Sequence, residues 1–162
     1  MSDAIVVLNA GSSSIKFSVF LAGDAALAER LRGQIEGLYT APRFAAKDAS
    51  GTVLAEKAWG EGTQLGHDGA LDHLLGFLKG QLDGHRLLGV GHRVVHGGAE
   101  YSQPVRVDAA LLDRLATFIP LAPLHQPHNL GPIRRLAARL PELPQVACFD
   151  TAFHRTNPPL AQ

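Results

Sequence analysis

The residues best equipped for chemistry open the chain, in Asn9-Ala-Gly-Ser-Ser-Ser-Ile-Lys16. Gly11 lets the backbone come close to a ligand. Ser12, Ser13 and Ser14 set hydroxyls beside successive backbone N–H groups, which together can form a concavity for an anion. Lys16 adds a compact positive charge, and Asn9 a neutral oxygen able to face a metal ion. The same residues suit an ordinary hairpin turn, since Gly and Ser are frequent there. This is not a Walker loop, because no Gly-Lys-Ser/Thr opens a helix. A second candidate is Arg93, in Gly91-His-Arg-Val-Val-His-Gly-Gly98. A guanidinium fork can bind a carboxylate through two parallel hydrogen bonds. Asp150, at the end of Cys148-Phe-Asp150, is a third.

Elements must bring these groups together. Ile5 to Leu8 is short, continuous and β-branched, as in a strand buried on both faces. In the next run Ile15, Phe17, Val19 and Leu21 alternate with Lys16 and Ser18, so the opening reads strand, turn, strand. Leu27 to Leu38 is open between strand and short helix. Arg43–Ala46 and Thr52–Lys57 form a hairpin across Asp48-Ala-Ser-Gly51. A glycine-rich passage, Gly60 to Gly69, leads into a helix with Asp68 as N-cap and Leu71, Leu74, Leu75, Leu78 and Leu82 on one face. A strand over Leu87–Val90 precedes the Arg93 segment. A helix begins at Asp108, carries Leu111, Leu112, Leu115 and Ile119, and stops before Pro120. Pro123-Leu-His-Gln-Pro127 is too proline-rich for regular structure. A third helix over Asn129–Leu140 buries Ile133, Leu136 and Leu140 and turns Arg134, Arg135 and Arg139 outward. Gln145–Phe149 is a last buried strand. The order predicts an α/β layer, a mixed sheet with helices packed on it. Asn9 then falls at the end of the first strand, Arg93 just past a middle strand and Asp150 just past the last, at the carboxyl ends where open α/β sheets bind ligands.

Composition narrows the field. The 162 residues suffice for one well-cored domain and fall short of two of typical size. Fifteen basic and fifteen acidic residues cancel, so no global field favours nucleic acid or an anionic membrane. No apolar run approaches a bilayer span, and no signal peptide opens the chain, which implies a cytoplasmic protein. Cys148 is the single cysteine, so it has no internal disulfide partner; flanked by Val146, Ala147 and Phe149, it reads as a buried strand residue. The eight histidines raise a metal reading, yet His92 and His96 lack the His-Glu-x-x-His helical context and no cysteine cluster supports zinc.

The Asn9–Lys16, Gly91–Gly98 and Cys148-Phe-Asp-Thr-Ala-Phe-His154 segments, with Pro123–Pro127, resemble the acetate kinase family of carboxylate phosphotransferases. The resemblance runs in the family's order from Ile5 to about His154. It implies the fold superfamily of actin, hexokinase and the Hsp70 ATPase, in which two ribonuclease-H-like domains close over nucleotide and a strand-turn-strand loop cradles phosphate. It further implies reversible transfer of the ATP γ-phosphoryl group to acetate, with Mg²⁺ (or Mn²⁺) as cofactor and ATP/ADP as co-substrate. On that resemblance Gly11, Ser12, Ser13, Ser14 and Lys16 lie at the nucleotide phosphates and Asn9 near the Mg²⁺. Arg93 binds the carboxylate, Val95 and Leu124 line the methyl pocket, His125 stabilises the transition state, and Asp150 is the catalytic aspartate.

A carboxyl group of pKa about 4 is already ionised near neutrality, so Asp150 has little proton to remove from acetate. Orienting Arg93 or a Mg²⁺-bound water is the more economical task for it. The family's members are more than twice as long and typically homodimeric, and their second domain supplies the adenosine pocket. The expectation is therefore a single N-terminal domain over residues 1–162, incomplete for catalysis. Phe153-His-Arg-Thr-Asn-Pro-Pro159 departs from the family's Phe-His-Gln-Thr-Met-Pro. A propionate or butyrate kinase would differ in pocket size. A different class of protein also fits these residues: a non-catalytic module that binds an anion or a partner.

Overall fold

A computed structural model describes residues 3–94, 103–121, 123 and 126–149. Its eight strands are β1 (Asp3–Ala10), β2 (Ile15–Ala22), β3 (Leu27–Glu36), β4 (Arg43–Asp48), β5 (Val53–Ala58), β6 (Arg86–Val94), β7 (Val105–Arg106) and β8 (Gln145–Phe149). Its helices are α1 (Gly66–Gln81), α2 (Ala109–Ala116) and α3 (Gln126–Arg139). The strands form one mixed sheet in the order β5-β4-β3-β2-β1-β6-β8-β7. From β1 to β5 it is an antiparallel meander, and β6 and β8 then run parallel to β1. Parallel neighbours need crossovers, and α1 and α3 lie in those connections.

One face of the sheet carries the core. Ala4, Val6, Leu8 and Ala10 of β1 are buried with Ile15, Phe17 and Val19 of β2 and Leu71, Leu74 and Leu78 of α1. A second cluster joins Val94, Ala147 and Phe149 to Leu111, Leu112 and Leu115 of α2 and Leu130 and Ile133 of α3. Two acidic side chains of α1, Asp68 and Asp72, meet Arg135, and Asp72 also meets Arg139, which fixes α1 against α3. An apolar cleft of about 540 Å³ remains between α1, α3 and the sheet, with Leu82, Leu87, Leu140 and Leu143 around it.

The other face explains several departures from expectation. Among the described residues no helix packs on it, so Val7 is 39% exposed and Ile5 half-buried, and β1 is buried on one face only. Cys148 points to that same side and is exposed, not buried. Leu27–Leu38 resolves as strand β3 and its exit. Strand β6 is longer than Leu87–Val90 and contains Arg93, which therefore sits within the strand's last turn of pleat rather than beyond it.

The helix ends differ too. Leu65, not Asp68, occupies the N-cap position of α1, without a side-chain cap; Asp68 lies in the first turn. Helix α3 starts at Gln126, because Pro127 in a first turn needs no N–H partner there. Its end leaves Leu140 41% exposed instead of buried. Ile119 belongs to a separate 3₁₀ turn, Ile119–Leu121, that takes in Pro120. Asp108, where a helix was expected to begin, is the N-cap of α2: its carboxylate accepts from the Leu111 N–H at 2.7 Å.

Candidate anion-binding site

The turn between β1 and β2 lies where Asn9 and Lys16 are cross-strand partners. Its carbonyls are held back by the rest of the fold. The Ala10 carbonyl accepts from Asn129 Nδ2 at 2.8 Å, and the Gly11 carbonyl from His67 Nε2 at 2.6 Å. Ser14 O accepts from the Gly11 N–H at 2.8 Å, and Ser13 O from the Leu38 N–H at 3.1 Å. Among the described residues, by contrast, the N–H groups and hydroxyls of Ser12, Ser13 and Ser14 find no hydrogen-bond partner. Carbonyls tied inward and donors left over is the arrangement an anion needs. A Cβ on Gly11 would stand 3.3 Å from Ser14 Oγ, so a larger residue would press on the turn's own serine.

Charge converges on the same end of the central strands. Arg93 Nη1 donates to Asn9 Oδ1 at 3.4 Å, joining β6 to β1 across the parallel pair. Lys16 is exposed and has no acidic partner among the described residues. It also borders a depression of about 390 Å³ on the uncovered sheet face, lined further by Ser18, Arg32, Gln34 and Lys47. Three cations with no carboxylate among the lining residues extend the positive field away from the turn.

Sequence reasoning brought Asn9, Gly11, Ser12, Ser13, Ser14, Lys16 and Arg93 forward, and the structure gathers them at the carboxyl ends of the central strands β1 and β6 and the start of β2. Val95, Leu124, His125 and Asp150 lie outside the described residues. Three residues escaped notice: His67, Tyr39 and Asn129. Asn129 is only 4% exposed, and His67 bonds Tyr39 Oη through Nδ1 at 2.7 Å. Their sequence neighbourhoods held no signal beyond a histidine near a helix start and an asparagine taken as a helix residue.

His92, by contrast, is a structural residue. It is 3% exposed and its Nε2 is 2.6 Å from Gln145 Oε1. Because Gln145 Nε2 donates to the Ile133 carbonyl, its Oε1 faces His92 and the imidazole N–H donates to it. Burial pushes the imidazole down from 6.5 to about 4, against the opposing pull of that hydrogen bond. No group of three or more metal-ligating side chains occurs among the described residues.

The sequence profile of the acetokinase family matches residues 4–162. An acetate kinase of Nitrobacter hamburgensis is 48% identical over 162 residues, covering 98% of this chain and 39% of the relative. One of Rhizobium meliloti is also 48% identical, over 94% of this chain and 39% of its own length. Among solved structures, a propionate kinase from Francisella tularensis superposes with a TM-score of 0.81 at 36% identity, over 96% of this chain. The Porphyromonas gingivalis acetate kinase gives 0.77 at 30% identity. The chain thus spans about two fifths of the length of the relatives it matches.

Proposed function

The chain belongs to the acetokinase family, and from that premise we propose that it is the N-terminal domain of a kinase moving the γ-phosphoryl group of ATP reversibly onto acetate. An acetate oxygen forms the new bond to phosphorus, the bond to the β-phosphate oxygen breaks, and acetyl phosphate and ADP result. The observation that supports this most is the turn whose carbonyls are tied inward while the Ser12–Ser14 donors stay unused beside Lys16 and Arg93. Residues 1–162 would form one jaw, and a second, nucleotide-binding domain the other.

In this reading the loop N–H groups and Lys16 hold nucleotide phosphate, and Arg93 holds the acetate carboxylate bidentately. The guanidinium then follows the negative charge as it passes to the phosphoryl group, which is where such electrostatic help counts most in phosphoryl transfer. Asn9 keeps Arg93 aimed across the β1–β6 pair. Asp150 orients Arg93 further, His125 stabilises the transition state, and Val95 and Leu124 bound the acyl pocket. These four are assigned by the family resemblance.

Mg²⁺ takes few protein ligands and several water and phosphate oxygens. Asn9 Oδ1 accepts from Arg93 and keeps a second lone pair, so it would offer such an ion one neutral ligand, the rest coming from water and nucleotide phosphate. Once bound, the ion neutralises charge on the transferring phosphate. The reading carries with it a cytoplasmic, homodimeric enzyme; no helix among the described residues is long and apolar enough to cross a membrane.

Acetyl phosphate trapped as its hydroxamate provides the test, using the gene product that carries this segment. Wild type should form it, and Arg93→Ala should lose about a hundredfold or more in kcat/KM for acetate. Absence of acyl phosphate from either acetate or propionate would sink the reading. The Francisella propionate kinase likeness favours running both acids. One methylene shifts preference by only about 1–3 kcal/mol, so a ratio is more telling than a yes or no.

A further inference from the structure

We propose that His67 and Asn129 are positioning residues that set the β1–β2 turn for phosphate by holding two consecutive carbonyls. The inference rests on the phosphate-loop reading above and adds what enforces the loop's shape. A peptide carbonyl only accepts, so His67 Nε2 must carry the hydrogen in its 2.6 Å contact with Gly11 O. In the neutral ring Nδ1 is then bare and accepts from Tyr39 O–H at 2.7 Å. In the charged ring Nδ1–H donates to the same oxygen. The bond to Gly11 persists in either state, so the clamp does not depend on the protonation of His67.

The ring is held from its faces as well as its edges. His128 stacks on it with centroids 4.8 Å apart and planes 16° from parallel, and Tyr39 packs at 5.7 Å. His67 stands in the first turn of α1 and Asn129 in that of α3, so two separate crossover helices grip adjoining peptides of one turn. Asn129 is nearly fully buried, and its amide reaches Ala10 O at 2.8 Å. A third tie comes from Leu38, whose N–H holds Ser13 O while its own carbonyl accepts from the Gly66 N–H at the start of α1. Gly66 takes φ +70°, a conformation that side chains rarely adopt, and thereby delivers His67 to the turn.

Rotating a peptide that points its carbonyl inward also rotates the next N–H. Ala10 O and Gly11 O therefore fix the Gly11 and Ser12 amides, the latter being the first of the three unused donors. Without the His67 and Asn129 bonds, those carbonyls are free to turn toward the bound anion and repel it.

The experiment is a titration of the 162-residue chain with inorganic phosphate, followed through the ¹H–¹⁵N signals of Ser12, Ser13 and Ser14. Wild type should show saturable shifts at these three amides. His67→Leu and Asn129→Leu should each weaken the apparent phosphate affinity about tenfold, the scale of one lost hydrogen bond to an ordered group. His67→Gln, which keeps an amide donor for Gly11 O, should recover most of it. Because Asn129→Leu buries a new shape, His67→Leu with its Gln rescue is the deciding pair, and the His67 Nε2–H resonance reports whether the bond to Gly11 is present. If wild type responds and His67→Leu responds equally, the clamp is overturned while the phosphate reading stands. If wild type does not respond at all, the phosphate reading falls and the clamp with it.

Discussion

His92 carries the clearest pH consequence. Its imidazole is buried against Gln145 and titrates at about 4 in the folded chain, against 6.5 when unfolded. Between those values the unfolded chain binds the extra proton, so stability is fully present above pH 6.5 and falls as pH drops toward 4. A difference of that size corresponds to roughly 3 kcal/mol lost over the window. Urea unfolding at stepped pH should show this slope, and His92→Leu should flatten it whatever the variant's own cost in packing. A slope that survives the substitution would assign it to other groups.

Residue types announced the candidate site better than they announced burial. Lys16 drew attention as a compact charge beside a glycine-serine turn, and Arg93 as a guanidinium fork able to bind a carboxylate at the end of a strand. Cys148, next to Val146, Ala147 and Phe149, was expected inside, but strand alternation cannot say which face the helices will cover. His67 and Asn129 were invisible for a related reason. Their value lies in reaching Gly11 and Ala10, 56 and 119 positions away in the chain, and no local pattern encodes that.

At the scale of elements, periodicity served well and boundaries less so. Leu71, Leu74 and Leu78 declared the buried face of α1 through their spacing, and the alternation of Ile15, Phe17 and Val19 declared that of β2. Helix starts depend on which side chain meets which orphan N–H, and two aspartates in similar settings behave differently. Asp108 accepts from Leu111 N–H and caps α2, whereas Asp68 sits inside the first turn of α1 and faces Arg135. Asp108→Ala should therefore lower stability by about 1 kcal/mol, the usual worth of such a cap. Asp68→Ala should cost at most a few tenths, since its ion pair is largely exposed. Chemical denaturation of the two variants side by side checks the contrast; equal losses would mean that Asp68 acts as a cap after all. The early start of α3 teaches the same lesson from the other side. Pro127 looked like a breaker, but in a first turn its missing N–H costs nothing, and that start places Asn129 within reach of Ala10.

For the whole molecule, the sheet places the Ser12–Ser14 turn and the Arg93 guanidinium together at the carboxyl ends of two central strands, β1 and β6, while three helices occupy one face. The mixed α/β class was legible from element order alone, but the antiparallel meander of five strands joined to a parallel pair was not, because register is set by long-range pairing. The arrangement has a consequence for catalysis. In-line phosphoryl transfer requires groups on both sides of the phosphate to fix nucleotide and acceptor in one geometry, and much of the rate comes from that positioning. Here the described cationic groups approach from one side, and the chain covers about two fifths of the relatives it matches. The 162-residue chain should therefore bind phosphate weakly through the Ser12–Ser14 turn yet form no detectable acetyl phosphate from ATP and acetate. Hydroxamate trapping measures the second quantity and the amide titration the first, on the same sample. Turnover by this chain alone, abolished by Arg93→Ala, would show that one jaw suffices and would overturn the two-domain reading.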